Sequence, residues 1–171
     1  MKTILYCSCL FMGFALSVLN GQWNSLHKPQ ISFEFVSTGV KGTIAGFETE
    51  SRIDLNNLEN SFFKGTVATN TLDTNNGLRN WSLRSRKYFN VNDYPSMAFE
   101  SSEVFWEGEL LIVKGNLTIK NTLKPITITF KRNKNQLVGT FSLYASDYGI
   151  KIKKKREDNL VKVTLIFTTT P

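Results

Sequence analysis

Residues 111–130, LIVKGNLTIKNTLKPITITF, contain two apolar alternations separated by a short polar turn. Leu117 and Ile119 alternate with polar residues before the turn, and Ile128 and Phe130 do so after it. A period of two is typical of a strand that has one buried and one wet face. The stretch therefore predicts a hairpin of two antiparallel strands.

The same alternation recurs on both sides of this hairpin, in residues 31–35, 63–69, 137–143 and 161–168. Turn residues separate these short segments. Evenly spaced strands joined by hairpin turns predict an antiparallel sandwich or barrel. Register matters most at Phe62 and Phe63, because a slip of one residue exchanges the inward and outward faces.

One polar and basic insert, residues 72–104, interrupts the strand pattern. Its first part predicts a short helix over residues ~75–88, with asparagines available as N-caps. A helix this short is marginal in water by itself. We therefore expect it to dock on the sheet through Trp81 and Leu83, as a lid on one end of a barrel.

The N-terminus has the pattern of a secretory signal peptide over residues 1–21, which leaves a mature domain at 22–171. A membrane anchor is the alternative, but the apolar run is shorter than the ~20 residues that a spanning helix needs. Cleavage is expected after Gly21, or else after Ser17. Both cysteines, Cys7 and Cys9, lie inside the segment. We expect a periplasmic or secreted protein without disulfides.

The chain is basic, with a formal net charge of +7, and its densest basic run is KIKKKR at Lys151–Arg156. One interpretation is a solvated hairpin end whose lysines discourage edge pairing. The other is contact with an anionic membrane surface. Nucleic acid is not expected as a partner, because no aromatic residues interleave the run and the protein is predicted to be exported.

Sequence motifs for catalysis are missing. His27 is the only histidine, and no nucleophile elbow accompanies it. No clustered metal-ligand pattern and no phosphate-binding glycine loop is present. We therefore predict no enzyme, no catalytic residue and no metal, and keep a lipid-modifying enzyme that uses His27 as a minor alternative.

The thirteen phenylalanines leave one question open. An eight-stranded barrel can be just filled by its side chains or can hold one small ligand. Periodicity alone does not separate a filled structural or stress-response barrel from a ligand cavity.

Five segments, in the same order along the chain, resemble the YceI-like family of exported bacterial proteins. They are VKGTIAGFE (residues 40–48), LDTNNGLRNWSL (72–83), KYFNVNDYPSMAFESSEV (87–104), VKGNLTIKNTLKPITITF (113–130) and SDYGI (146–150). The resemblance implies an all-β fold: an eight-stranded antiparallel lipocalin-like barrel around an elongated apolar cavity. It also implies a polyisoprenoid chain, such as a quinone tail, or another long lipid as ligand, for transport or storage.

Combined with the alternation, the resemblance gives a set of expected ligand-binding residues. They are Phe33, Phe35, Phe47, Phe63, Leu83, Phe89, Phe99, Leu117, Ile119, Phe141, Val163 and Leu165. Arg79 and Asn80 are the expected polar residues at the cavity mouth. Asn80, Ser82 and Ala145 stand where the family pattern often has Asp, His and Arg. No cofactor is expected beyond a bound isoprenoid quinone or other long-chain lipid. A homodimer remains an alternative to a monomer.

Overall fold

A computed structural model describes residues 29–54 and 57–168, and these residues form nine β-strands and one α-helix. The signal-peptide segment, both cysteines and His27 lie outside the described residues. The helix α1 spans Gly77–Arg84. The strands are β1 Gln30–Phe35, β2 Val40–Ile44, β3 Glu48–Thr49, β4 Lys64–Ala68, β5 Ser96–Glu107, β6 Leu110–Ile119, β7 Thr122–Asn133, β8 Gln136–Tyr144 and β9 Leu160–Thr168.

The strands form one antiparallel sheet in the order β2-β1-β9-β8-β7-β6-β5-β4-β3. Its two edge strands, β2 and β3, are consecutive in the chain and only residues 45–47 separate them. So short a link spans roughly 14 Å, whereas a flat sheet of this width would measure roughly 38 Å at ~4.8 Å per strand. The sheet is therefore curled until its edges meet, which makes a barrel.

The sheet has nine strands instead of the predicted eight, because the segment that forms β2 and β3 is bent between them. Gly46 has φ +68° at the bend, and an added Cβ there would lie 2.6 Å from the Ala68 Cβ. The first half of the bent segment pairs with β1 and the second half with β4. Backbone hydrogen bonds between Thr43 and Asp73, and from the Ala68 N–H to the Ala45 carbonyl, close the seam.

The connections define two ends of the barrel. Because the strands run antiparallel, residues 36–39, 69–95, 120–121 and 145–159 lie at one end, called the upper end here. Residues 50–63, 108–109 and 134–135 lie at the lower end. The insert with α1 and the basic run Lys151–Arg156 therefore share the upper end.

The described residues contain no helix that is long and apolar enough to cross a bilayer. The predicted helix is shorter than expected, since it begins at Gly77 and ends at Arg84. Turns follow it through residues 85–93, where the Phe89 N–H donates to the Leu83 carbonyl and the Tyr94 N–H to the Asn90 carbonyl. Asn90 has φ +49°, which a continued helix does not allow.

Candidate ligand cavity

The barrel encloses a cavity of about 760 Å³ that runs between its two ends. A volume of this size lies within the ~300–1,000 Å³ typical of small-molecule sites. Its wall is mostly aliphatic and aromatic. The composition alone also allows a barrel that is filled by its own side chains, but the described residues leave an open cavity.

All twelve side chains that were predicted to contact the ligand line this cavity. The alternation on β1 puts Ile31, Phe33 and Phe35 on the lining face. Phe63 lines the cavity and is 6% exposed, whereas Phe62 is 40% exposed. The register ambiguity between these two neighbours is thereby resolved.

Strand glycines explain how so many phenylalanines leave the cavity open. Gly42 is the cross-strand partner of Phe33, and Gly139 is the partner of Phe130. A Cβ built at either glycine would overlap the ring of its partner. The missing side chain gives each ring room against the barrel wall, so that the ring does not have to project into the cavity.

A second pair of such contacts lies on β4 and β6. An added Cβ at Gly65 would lie 2.9 Å from the Phe47 ring, and one at Gly115 would lie 2.6 Å from Phe99. Sequence reasoning missed this pattern, although glycines at inward positions of alternating strands were a readable signal.

An aromatic cluster packs the lower half of the barrel. The Phe63 and Phe130 rings stack with centroids 5.4 Å apart, and Phe167 contacts both Phe130 and Phe47 at 6.1 Å. Leu111 is fully buried in the same cluster. These stacked rings form a dense core at the lower end.

At the upper end, a hydrogen-bond network fixes α1. The Asn76 side chain caps the helix by accepting from the Arg79 N–H at 2.9 Å. Asn80 Oδ1 accepts from the Thr74 N–H and hydroxyl at 2.9 and 2.7 Å, and Asn80 Nδ2 donates to Asp73 Oδ1 at 2.8 Å. The hydrogen bond from the Asn80 side chain lowers the pKa of the Asp73 carboxyl most. The bond from the Asn75 N–H lowers it as well.

The two residues predicted at the mouth therefore have different positions. Arg79 lines the cavity, and none of the ion pairs among the described residues uses its guanidinium. Asn80 does not line the cavity, because its amide holds the helix to residues 73 and 74.

Of the two side chains predicted to dock α1 on the barrel, Leu83 does so and Trp81 does not. Leu83 faces inward and lines the cavity. Trp81, however, is 75% exposed, and Leu78 is 84% exposed. They are three residues apart, which puts them on one helix face, and that face points away from the barrel.

The basic run lies at the end of the β8–β9 hairpin, as one of the two interpretations predicted, within a long connection at residues 145–159. Asn159 is fully buried under this loop. Its Oδ1 accepts from the N–H groups of Ile152 and Lys153 at 2.9 Å, and its Nδ2 donates to the carbonyls of Lys153 and Lys155. No sequence pattern indicated this role.

Further contacts hold both ends of the same loop. Arg156 forms a two-bond ion pair with Asp147, at 2.8 and 2.6 Å, and lies over the Tyr144 ring. The Arg156 bond lowers the pKa of the Asp147 carboxyl. Burial, and after it the charge of nearby Asp147, raise the pKa of the Tyr148 hydroxyl to about 12.

The side chains of the cavity wall are mostly apolar. Among the described residues, those lining the cavity include no carboxylate, histidine or thiol. Its cationic side chains, Arg79, Arg52 and Lys64, belong to the two ends. The described part of the chain also contains no group of three or more metal-ligating side chains. His27, the minor enzyme candidate, lies outside it.

Several curated proteins are similar in sequence. A UPF0312 protein of Enterobacter sp. (strain 638) is 38% identical over 90 residues, which cover 53% of this chain and 47% of the relative. A UPF0312 protein of Photorhabdus laumondii is 31% identical over 118 residues, 69% of this chain and 53% of the relative. The matched stretch thus spans about half the length of these relatives.

Solved structures share the fold. BcnA of Burkholderia cenocepacia has a TM-score of 0.70 at 17% identity, covering 83% of this chain and 96% of its own. A polyisoprenoid binding domain from Saccharophagus degradans has a TM-score of 0.54 at 12% identity, covering 85% and 98%. The family model for the YceI-like domain matches residues 25–169. The chain therefore belongs to the YceI-like family.

Proposed function

We propose that this protein binds a long apolar chain, isoprenoid-like or acyl, inside the barrel, and that it transports or stores this lipid. The observation that carries the proposal is the apolar cavity of about 760 Å³ with its cationic groups at the ends. The structurally similar protein from Saccharophagus degradans is a polyisoprenoid binding domain, which supports the same ligand class.

The energetics favour a long chain over a compact ligand. Each buried CH₂ contributes about 0.8 kcal/mol. A dozen methylenes would contribute roughly 10 kcal/mol before the costs of ordering the ligand. The wall supplies few polar groups, so selectivity comes from the length and shape of the chain.

The cavity meets the surface at both ends. Ile152 at the upper end and Arg52 at the lower end are both exposed and also line the cavity. An elongated ligand can therefore keep its polar head at one end while the chain extends inward. Arg79 is the residue that would contact an anionic or polar head at the upper end.

The test blocks the cavity without disturbing the outer surface. Val163→Trp adds bulk to a lining residue of β9, and Lys162→Trp adds the same side chain at its exposed neighbour. Both proteins are incubated with a long-tailed isoprenoid quinone and with a fluorescent long-chain fatty acid, and then separated from free ligand. We expect the Lys162→Trp protein to retain ligand and the Val163→Trp protein, still folded by circular dichroism, to retain none. Equal retention would place the ligand outside the cavity.

A further inference from the structure

In the part of the chain that the structure describes, five large apolar side chains are exposed at the upper end of the barrel, and four of them do not line the cavity. Among the described residues, the large apolar side chains exposed at this end are Val36, Leu78, Trp81, Leu123 and Ile152. Those exposed at the lower end are Phe62 and Trp106. Leu78 and Trp81 are the most exposed, at 84% and 75%. Neighbouring exposed apolar side chains rimmed by polar residues mark interaction or membrane sites more often than isolated ones do.

The same end is strongly basic. Its four connections contain ten basic and five acidic residues, whereas the three lower connections contain two basic and four acidic residues. Charge is therefore separated along the barrel axis. A positive end surface attracts an anionic partner and orients the whole molecule toward it.

The loop that presents the lysines is held in place. Buried Asn159 binds the backbone of Ile152, Lys153 and Lys155, and Arg156 is engaged by Asp147. Lys153 and Lys154 are exposed, and no ion pair within residues 29–54 or 57–168 involves them. The loop thus keeps these ammonium groups available for a partner.

We propose that the upper end docks on the surface of a bilayer that contains anionic lipid. Leu78 and Trp81 enter the interfacial region, as amphipathic Trp side chains do at membrane surfaces. The lysines of residues 151–155 contact the headgroups, where each basic residue adds attraction. Ile152 lies in this loop and also lines the cavity, so docking would bring that opening to the membrane.

The test is sedimentation of the full chain with vesicles of phosphatidylcholine, with and without phosphatidylglycerol. We expect binding only to the anionic vesicles, and loss of binding at high salt, because screening shortens the reach of the charges. Lys153→Glu/Lys154→Glu should weaken binding at least about tenfold. The matched pair Lys131→Glu/Lys134→Glu, on the β7–β8 hairpin, should bind as the unaltered protein does.

A second pair of variants tests the contribution of the exposed apolar side chains. Trp81→Ala should weaken binding to anionic vesicles several-fold, and Trp106→Ala, at the lower end, should not. Either of two results would overturn the proposal: absence of binding to anionic vesicles at low salt, or upper-end variants that bind like their lower-end controls. Val163→Trp should dock normally, so a failed ligand test and a failed docking test remain distinguishable.

Discussion

Phe130 and Gly139 are cross-strand partners on β7 and β8, and the Phe130 ring occupies the space beside the glycine where a side chain would lie. Phe130 is 1% exposed and contacts the Phe63 and Phe167 rings. The pair joins the dense lower core to the cavity wall. Its integrity should therefore matter for both stability and cavity shape.

Gly139→Ala is expected to destabilise the protein by about 1–3 kcal/mol, because the added methyl overlaps a buried ring that cannot move away freely. Urea unfolding followed by tryptophan fluorescence measures the effect. Gly77→Ala is the control, since nothing lies within 4 Å of an added Cβ there. Equal unfolding midpoints for the two variants would show that the ring does not need the glycine.

The attachment of α1 gives a second prediction. Asn80→Ala removes the bonds to Thr74 and Asp73, so the helix should open more often. We expect faster amide hydrogen exchange in residues 77–84 and faster release of bound lipid, with little change in the exchange of β6. Trp81→Ala on the exposed face should leave the exchange of the helix nearly unchanged. Slow exchange in Asn80→Ala would mean that other contacts, such as Leu83 and the Arg84 bond to the Leu72 carbonyl, are enough to hold the helix.

Asn159 provides a third prediction, this one about proteolysis. Asn159→Ala leaves four backbone groups of the basic loop without their partner. Because trypsin cleaves after lysine in chains that can unfold locally, cleavage within residues 151–156 should become much faster. Asn92→Ala, at an exposed turn position, should be cleaved at the rate of the unaltered protein. An unchanged rate in Asn159→Ala would contradict the role assigned to that side chain.

The Asp147–Arg156 pair predicts an acid-sensitive contribution to stability. The folded-state pKa of Asp147 is lowered, first by its bond with Arg156. The contribution is therefore present above the unfolded carboxyl pKa of about 3.9 and is lost as the pH falls through the lower folded value. The free energies of unfolding of the native protein and of Asp147→Asn should differ at neutral pH, and the difference should shrink progressively as the pH falls below about 4. A difference that persists in acid would mean that the substitution acts through packing.

A substitution at Arg79 tests whether this side chain contacts an anionic head of the ligand. Arg79→Gln should weaken binding of a long-chain fatty acid by up to about fivefold, as for a partly exposed ion pair, and leave a neutral isoprenoid alcohol unaffected. Competition against one fluorescent probe measures both. Arg86→Gln, exposed and outside the cavity lining, is the matched control. Equal losses for both ligands would assign Arg79 a role in folding the mouth.

Much of the barrel could be predicted because its pattern is local. Alternation along β1, β6 and β9 indicated which side chains face inward, and side chains such as Phe33, Leu117 and Val163 do line the cavity. Whether those residues bind a ligand stays a prediction. The family assignment, made on five segments in order, is confirmed by the match over residues 25–169.

Other features depend on contacts between distant residues and were not readable. Trp81 was expected to dock because helical spacing shows which residues share a face, but not which face meets the barrel. Asn80 bonds to Asp73 and Thr74, which lie before the helix, and the sequence alone does not show that geometry. The open cavity depends on glycines paired with rings across strands, as Gly42 is with Phe33.

The central claim is that the cavity holds a long apolar lipid. It is tested most directly by native mass spectrometry of the protein purified from its own host, followed by solvent extraction of whatever is bound. The account predicts one long-chain lipid per barrel, released by extraction and missing from the Val163→Trp variant. A mass equal to that of the bare chain, with no uptake of added isoprenoid quinone or fatty acid, would contradict it.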